Sequence, residues 1–136
     1  EYIGVGDEVA LCARVEVNVR VDQLVFGYMI RDRLGQPIFG TNTFHTGQIR
    51  RELEAGDRID FMARFHANLG PGTYSVSVAL SSTETHLVRN YEWRDLALVF
   101  TVANSSHAEF VGSNWIPPMI FIEGAGEERE RPGGRI

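Results

Sequence analysis

The residues best suited to metal chemistry are four histidines, His45, His66, His86 and His107, with a single cysteine, Cys12. The histidines stand roughly twenty residues apart, without an H-x-H or H-x-x-x-H pair. A zinc centre therefore has no local nucleus and would have to be assembled in space. The 18 carboxylates show no EF-hand spacing. Gly4-Val5-Gly6-Asp7-Glu8-Val9 begins like a dinucleotide loop but lacks the third glycine and precedes a strand. There is no phosphate-loop sequence and no G-x-S-x-G elbow. Glycosidase carboxylates are paired by geometry, and no spacing here singles out such a pair. These residues point to no cofactor, no metal and no catalytic group. The one cysteine cannot close an internal disulfide and fits a reducing compartment.

What remains is a surface. Arg64, His66, Ser75, Ser77 and Ser81 place small side chains beside hydrogen-bonding ones, and Arg89-Asn90-Tyr91-Glu92-Trp93-Arg94 adds two aromatics among polar groups. Sugar recognition uses this chemistry: donors and acceptors for hydroxyls, and aromatic faces for the C–H side of a pyranose. A serine-rich outer face is equally compatible with simple solvation, and Trp93 with a role as a core plug.

The elements that must carry this surface are strands. Leu11 to Val21 alternates apolar and polar residues with a period of two, and so do Ile59 to His66, Tyr74 to Ser81 and Leu96 to Val102. Leu24 to Asp32 and Pro37 to Thr43 flank a turn containing Gly35, which predicts a hairpin. The turn Asn68-Leu69-Gly70-Pro71-Gly72 predicts a second hairpin, between 59–66 and 74–81. Ser82 to Arg94 reads as a long connection, and short strands are expected at Glu109–Gly112 and Met119–Glu123. No segment sustains a helical apolar period. The pattern therefore predicts an all-β fold, a two-sheet immunoglobulin-like or jelly-roll sandwich. The sandwich is expected over residues 1–123, with a flexible tail over 124–136.

All 13 basic residues are arginine, against 18 carboxylates, for a net charge of −5. That balance opposes phosphate-backbone binding, so nucleic acid is not an expected partner. No apolar run approaches the roughly 20 residues of a membrane span. A start at Glu1 without methionine suggests a piece of something larger.

Three ordered blocks carry a family likeness. Phe26-Gly27-Tyr28-Met29-Ile30-Arg31-Asp32 with Gly35 and Phe39-Gly40-Thr41-Asn42-Thr43 forms the first. Leu69-Gly70-Pro71-Gly72-Thr73-Tyr74-Ser75-Val76 is the second, an L-x-x-G-x-Y turn and strand. The third is Trp93-Arg94-Asp95-Leu96-Ala97-Leu98-Val99-Phe100-Thr101-Val102, followed by Phe110-Val111-Gly112. From about Gly6 to Gly112 the chain resembles the C-terminal carbohydrate-binding domain of Wzt-type ATPase subunits of O-antigen polysaccharide ABC transporters.

The resemblance implies a non-catalytic module that binds O-antigen polysaccharide at the cytoplasmic face of the bacterial inner membrane. Its implied partners are an N-terminal ATPase domain, a transmembrane subunit and a second copy, without direct membrane insertion. It also implies a homodimer that exchanges a C-terminal strand, for which Trp115 to Ile122 is the candidate. The alternative is a dimerisation or interaction module that positions the ATPase without touching sugar. Family motifs are scaffold and transfer no glycan contacts; exposure and chemistry select Arg31, Asn42, Arg64, His66, Tyr91 and Trp93 for carbohydrate binding.

Overall fold

A computed structural model describes residues 1–82 and 90–126, with Asn90 and Trp93 described by backbone alone. Its strands are β1 (Tyr2–Gly4), β2 (Glu8–Glu16), β3 (Val21–Asp32), β4 (Pro37–Asn42), β5 (Arg50–Leu53), β6 (Arg58–His66), β7 (Gly72–Ser81) and β8 (Asn90–Ala103). No helix occurs among the described residues. The larger sheet runs β1-β8-β7-β3-β4, with β5 also pairing to β3, and β2 pairs with β6 in a second, two-stranded sheet. The fold is the all-β sandwich that the alternation predicts.

Alternation also fixes what lies between the sheets. In β2 and β6 every second residue is half-buried and the rest are exposed. Phe65 and Leu11 from that pair meet Ile30, Tyr74, Val76, Phe100 and Val102 of the larger sheet in one core cluster. A second cluster gathers Val17, Leu24 and Leu53, with Ile59, Phe61 and Leu80 packed against them. At about 25 cal/mol per Å² of buried apolar surface, each of these large side chains contributes on the order of 2 kcal/mol.

The predicted β3–β4 hairpin forms, closed by Gly35 at φ 81°. The predicted β6–β7 hairpin does not: β6 pairs with β2, and β7 lies between β3 and β8 in the opposite sheet. Alternation specifies which face of a strand is buried, not which strand lies beside it. The turn after His66 therefore crosses the sandwich instead of reversing within a sheet. Two further expectations are corrected. Tyr91 to Arg94 belong to β8 rather than to a connection, and 109–112 and 119–123 form no strand. Residues 83–89 and the 127–136 part of the expected tail lie outside the described residues.

The crossing turn is anchored by its own residues. The Tyr74 hydroxyl donates to the Gly70 carbonyl at 2.7 Å, a tyrosine corner of the kind found in immunoglobulin-like sandwiches. Leu69 bridges Asn114, the Gly70 amide donates to Ser113 O at 3.0 Å, and the Trp115 amide donates to Asn68 O at 3.0 Å. The Trp115 ring packs on Phe110 and His107, both at 4.7 Å. The chain after β8 is thus clamped to this turn, and Gly70 makes the clamp possible, because a Cβ there would lie 1.7 Å from Gly112 O. Gly70→Ala is expected to lower stability by about 2 kcal/mol or more. Thermal unfolding followed by circular dichroism measures it; an unchanged midpoint would rule out the clamp.

Candidate functional site

The outer face of the larger sheet collects the small residues. Asn42 pairs with Gly27, Gly27 with Ala79, and Ala79 with Trp93, a single row across four strands. The next positions bring Gly40 beside Met29 and Met29 beside Ser77, then Arg31 beside Ser75 and Ser75 beside Val99. With strands about 4.8 Å apart, the row from Asn42 to Trp93 spans about 14 Å. Its centre is low because glycine, alanine and serine occupy it. Gly40 leaves the space into which Met29 lies, since a Cβ there would meet Met29 Cε at 3.1 Å.

A polar group stands at one end of this trough. Arg31 Nη1 donates to Ser77 Oγ at 2.6 Å, Ser77 Oγ donates to Asp95 Oδ1 at 3.1 Å, and Arg31 lies 3.8 Å from Asp95. Ser77 is 3% exposed, so its hydroxyl is held by these two charged neighbours while the carboxylate of Asp95 stays open to solvent. A bulge in β8 produces the arrangement. Val76 pairs with Leu98 and Val78 with Arg94, so Asp95, Leu96 and Ala97 all stand opposite Ser77. Leu96 is exposed and adopts φ 52°, the left-handed region that leucine avoids. A strained backbone beside an open polar group is a common sign of a functional position. Arg33, Thr73, Leu96 and Val99 complete a cleft of about 520 Å³ around the group.

The six residues selected from the sequence divide between two faces. Arg31, Asn42 and the backbone position of Trp93 lie on the larger sheet, as does Tyr91, whose hydroxyl reaches from β8 to donate to the Gln23 carbonyl of β3 at 3.0 Å. The Trp93 side chain lies outside the described residues. Asn42 Oδ1 accepts the His45 amide at 2.8 Å and so holds the turn after β4. Arg64 and His66 are on β6, on the opposite outer face. No single face carries all six, and Ser75, Ser77 and Ser81 are separated from Arg64 and His66 by the core.

The β2–β6 face is internally paired. Arg64 lies 3.9 Å from Glu8, His66 Nδ1 lies 3.4 Å from Gly6 O, and Arg14 Nε donates to Asp60 Oδ1 at 2.8 Å. Asp95 and Arg33 are the site residues that sequence reasoning missed. Asp95 was visible as part of the block starting at Trp93, but a scaffold motif gives no hint that a bulge will turn it toward Ser77.

The family model of the Wzt C-terminal domain matches residues 1–116. The chain belongs to the Wzt C-terminal domain family. Among solved structures, the crystal structure of the C-terminal domain of Wzt is similar, with a TM-score of 0.72 and 21% sequence identity over 83% of this chain and 68% of that one. No curated protein matches the chain. Membership of the Wzt family gives the chain a role in O-antigen export by an ABC transporter, as a module distinct from the ATPase. No helix among the described residues is long and apolar enough to cross a membrane.

The Arg14 pair also has a measurable consequence. Its hydrogen bond holds the Asp60 carboxyl below the ordinary carboxylate value. A carboxyl with a depressed folded pKa stabilises the fold above its unfolded pKa, and that stabilisation is lost as pH falls through the folded value. In Arg14→Ala, Asp60 is expected to titrate nearer its ordinary value by carbon-detected NMR. The stability gap to wild type should then narrow below pH of about 4. An unmoved Asp60 titration would show that Arg14 is not the cause.

Proposed function

We propose that the chain is a non-catalytic glycan-binding module that recognises O-antigen polysaccharide for export, using the outer face of the larger sheet. The observation that carries this reading is the Arg31–Ser77–Asp95 group at the end of an open trough. Neighbouring sugar hydroxyls need both a donor and an acceptor within a few ångströms, and a guanidinium beside a carboxylate supplies both. Met29, Leu96 and Val99 offer aliphatic contacts to the C–H side of a ring. Asn42, Tyr91 and Trp93 extend the same face. Arg64 and His66 fall outside this contact set. Membership of a family concerned with O-antigen export supports a polysaccharide as the ligand.

A specific observation favours a second element, a homodimer built by strand exchange. Ile116, Ile120 and Ile122 are 78%, 74% and 76% exposed, and they follow directly from the Trp115 clamp. Within the described residues β2 pairs only with β6, so every second one of its nine residues turns its backbone N–H and C=O to the open edge. Leu11, Phe26, Val78 and Leu80, with the charged Glu16 and Arg94, line a slot of about 560 Å³ along that edge. A strand of Met119 to Glu123 from a second copy fits this slot by β-augmentation. Pro117 and Pro118, which cannot donate to a ladder, form its stem. In this reading the module sits at the cytoplasmic face of the inner membrane, joined to an N-terminal ATPase domain and a transmembrane subunit. Two copies would grip one long polymer with increased avidity.

Titration calorimetry with long O-polysaccharide tests the glycan reading. Wild type should bind, Arg31→Ala should weaken binding roughly 10-fold or more, and Arg64→Ala should leave it unchanged. An absence of binding by wild type would leave the interaction module as the function. Sedimentation tests the exchange separately: truncation after Trp115 should convert a dimer to a monomer, and a wild-type monomer would exclude it.

A further inference from the structure

The two open sides of the β2–β6 sheet differ in chemistry. Phe26 reaches both sides, but only on the β6 side do Tyr28 and Phe61 join it, in a cleft of about 650 Å³ beside the chain between β4 and β5, a volume within the usual range of small-ligand sites. Phe26, Tyr28 and Phe61 line it, and Thr41, Gln48 and Arg50 stand around its rim. Phe26 and Phe61 are stacked at 4.6 Å, and Tyr28 lies 6.5 Å from Phe65 and 6.2 Å from the exposed Phe39. An aromatic track therefore runs along this side of the sandwich.

Gln48 accepts from the Thr46 hydroxyl at 2.7 Å, but two other polar groups of the cleft are open. Among the described residues no protein group bonds the Tyr28 hydroxyl, and no carboxylate pairs with Arg50. Among the described residues no unsatisfied side-chain polar atom is sealed from solvent, so the hydroxyl of Tyr28, a residue that lines the cleft, is open to solvent. Burial of the ring raises its phenol pKa, which keeps it a protonated donor.

We propose that this cleft is a second saccharide site, in which a pyranose lies against the Tyr28 and Phe61 rings while its hydroxyls meet the Tyr28 hydroxyl, Thr41 and Arg50. The inference rests on the glycan-binding reading and adds a subsite on another side of the sandwich. Aromatic walls beneath hydroxyl, amide and guanidinium groups match the alternating C–H and O–H surfaces of a sugar ring.

The probe is O-polysaccharide released from the lipopolysaccharide of the organism that encodes the protein. On its addition the ring signals of Tyr28 and Phe61 are expected to shift in aromatic carbon–proton NMR spectra. Tyr28→Phe, which keeps the ring, and Arg50→Ala, at an exposed position, should each weaken binding about 5- to 10-fold. Unmoved ring signals with both variants binding like wild type, while Arg31→Ala loses affinity, would overturn the cleft and leave the outer-face site standing. Intermolecular contacts from a strand of a second copy to Phe61 would overturn it too. Failure of wild type to bind at all would overturn both.

Discussion

The uninterrupted antiparallel ladder between β3 and β7, from Val25 opposite Ser81 to Asp32 opposite Tyr74, is the constraint on which the other features depend. It turns Phe26, Tyr28, Ile30, Tyr74 and Val76 toward the core and Gly27, Met29, Arg31, Ser75 and Ser77 away from it. A slip of one residue would exchange the two sets and expose the aromatics, so burial holds the register. The irregularities lie to either side of the ladder, at Ile30/Arg31 toward β4 and at Val76/Val78 toward β8. A straight ladder flanked by bulges lets the neighbouring strands aim side chains without disturbing the core.

The second constraint is width. Two strands cover the middle of a much broader sheet, so the core is closed at its centre and reachable from both flanks. The flanks are not equivalent: Phe26 lines both, while Leu11, Val78 and Leu80 line only one and Tyr28 and Phe61 only the other. The same core strands thus present more aliphatic side chains on one flank and more aromatic ones on the other.

Much of this was legible in the residues. Period two gave the all-β class, and Gly35 located a hairpin that forms. The block from Leu69 to Tyr74 proved to be a tyrosine corner whose glycine admits the chain at Gly112. Pairing was less legible, because alternation is blind to neighbours; β6 and β7 therefore looked like a hairpin although they face each other across the core. A hairpin reading of β6 and β7 merges two surfaces, joining Arg64 and His66 to serines on the far side. Asp95 escaped notice because its role comes from a three-residue bulge opposite Ser77, and no local pattern around Leu96 announces a left-handed leucine. β5 was hidden because four residues, three of them exposed, carry little periodic signal.

Fixing Trp115 against Asn68 and His107 sets a length scale. Residues 116–123, even fully extended at about 3.3 Å each, reach no farther than about 26 Å. Any second copy entered by this arm must therefore lie close alongside the first. In a dimer joined this way the two troughs would form a gauge with fixed spacing, and a polymer whose repeat matched that interval would meet both in the same phase.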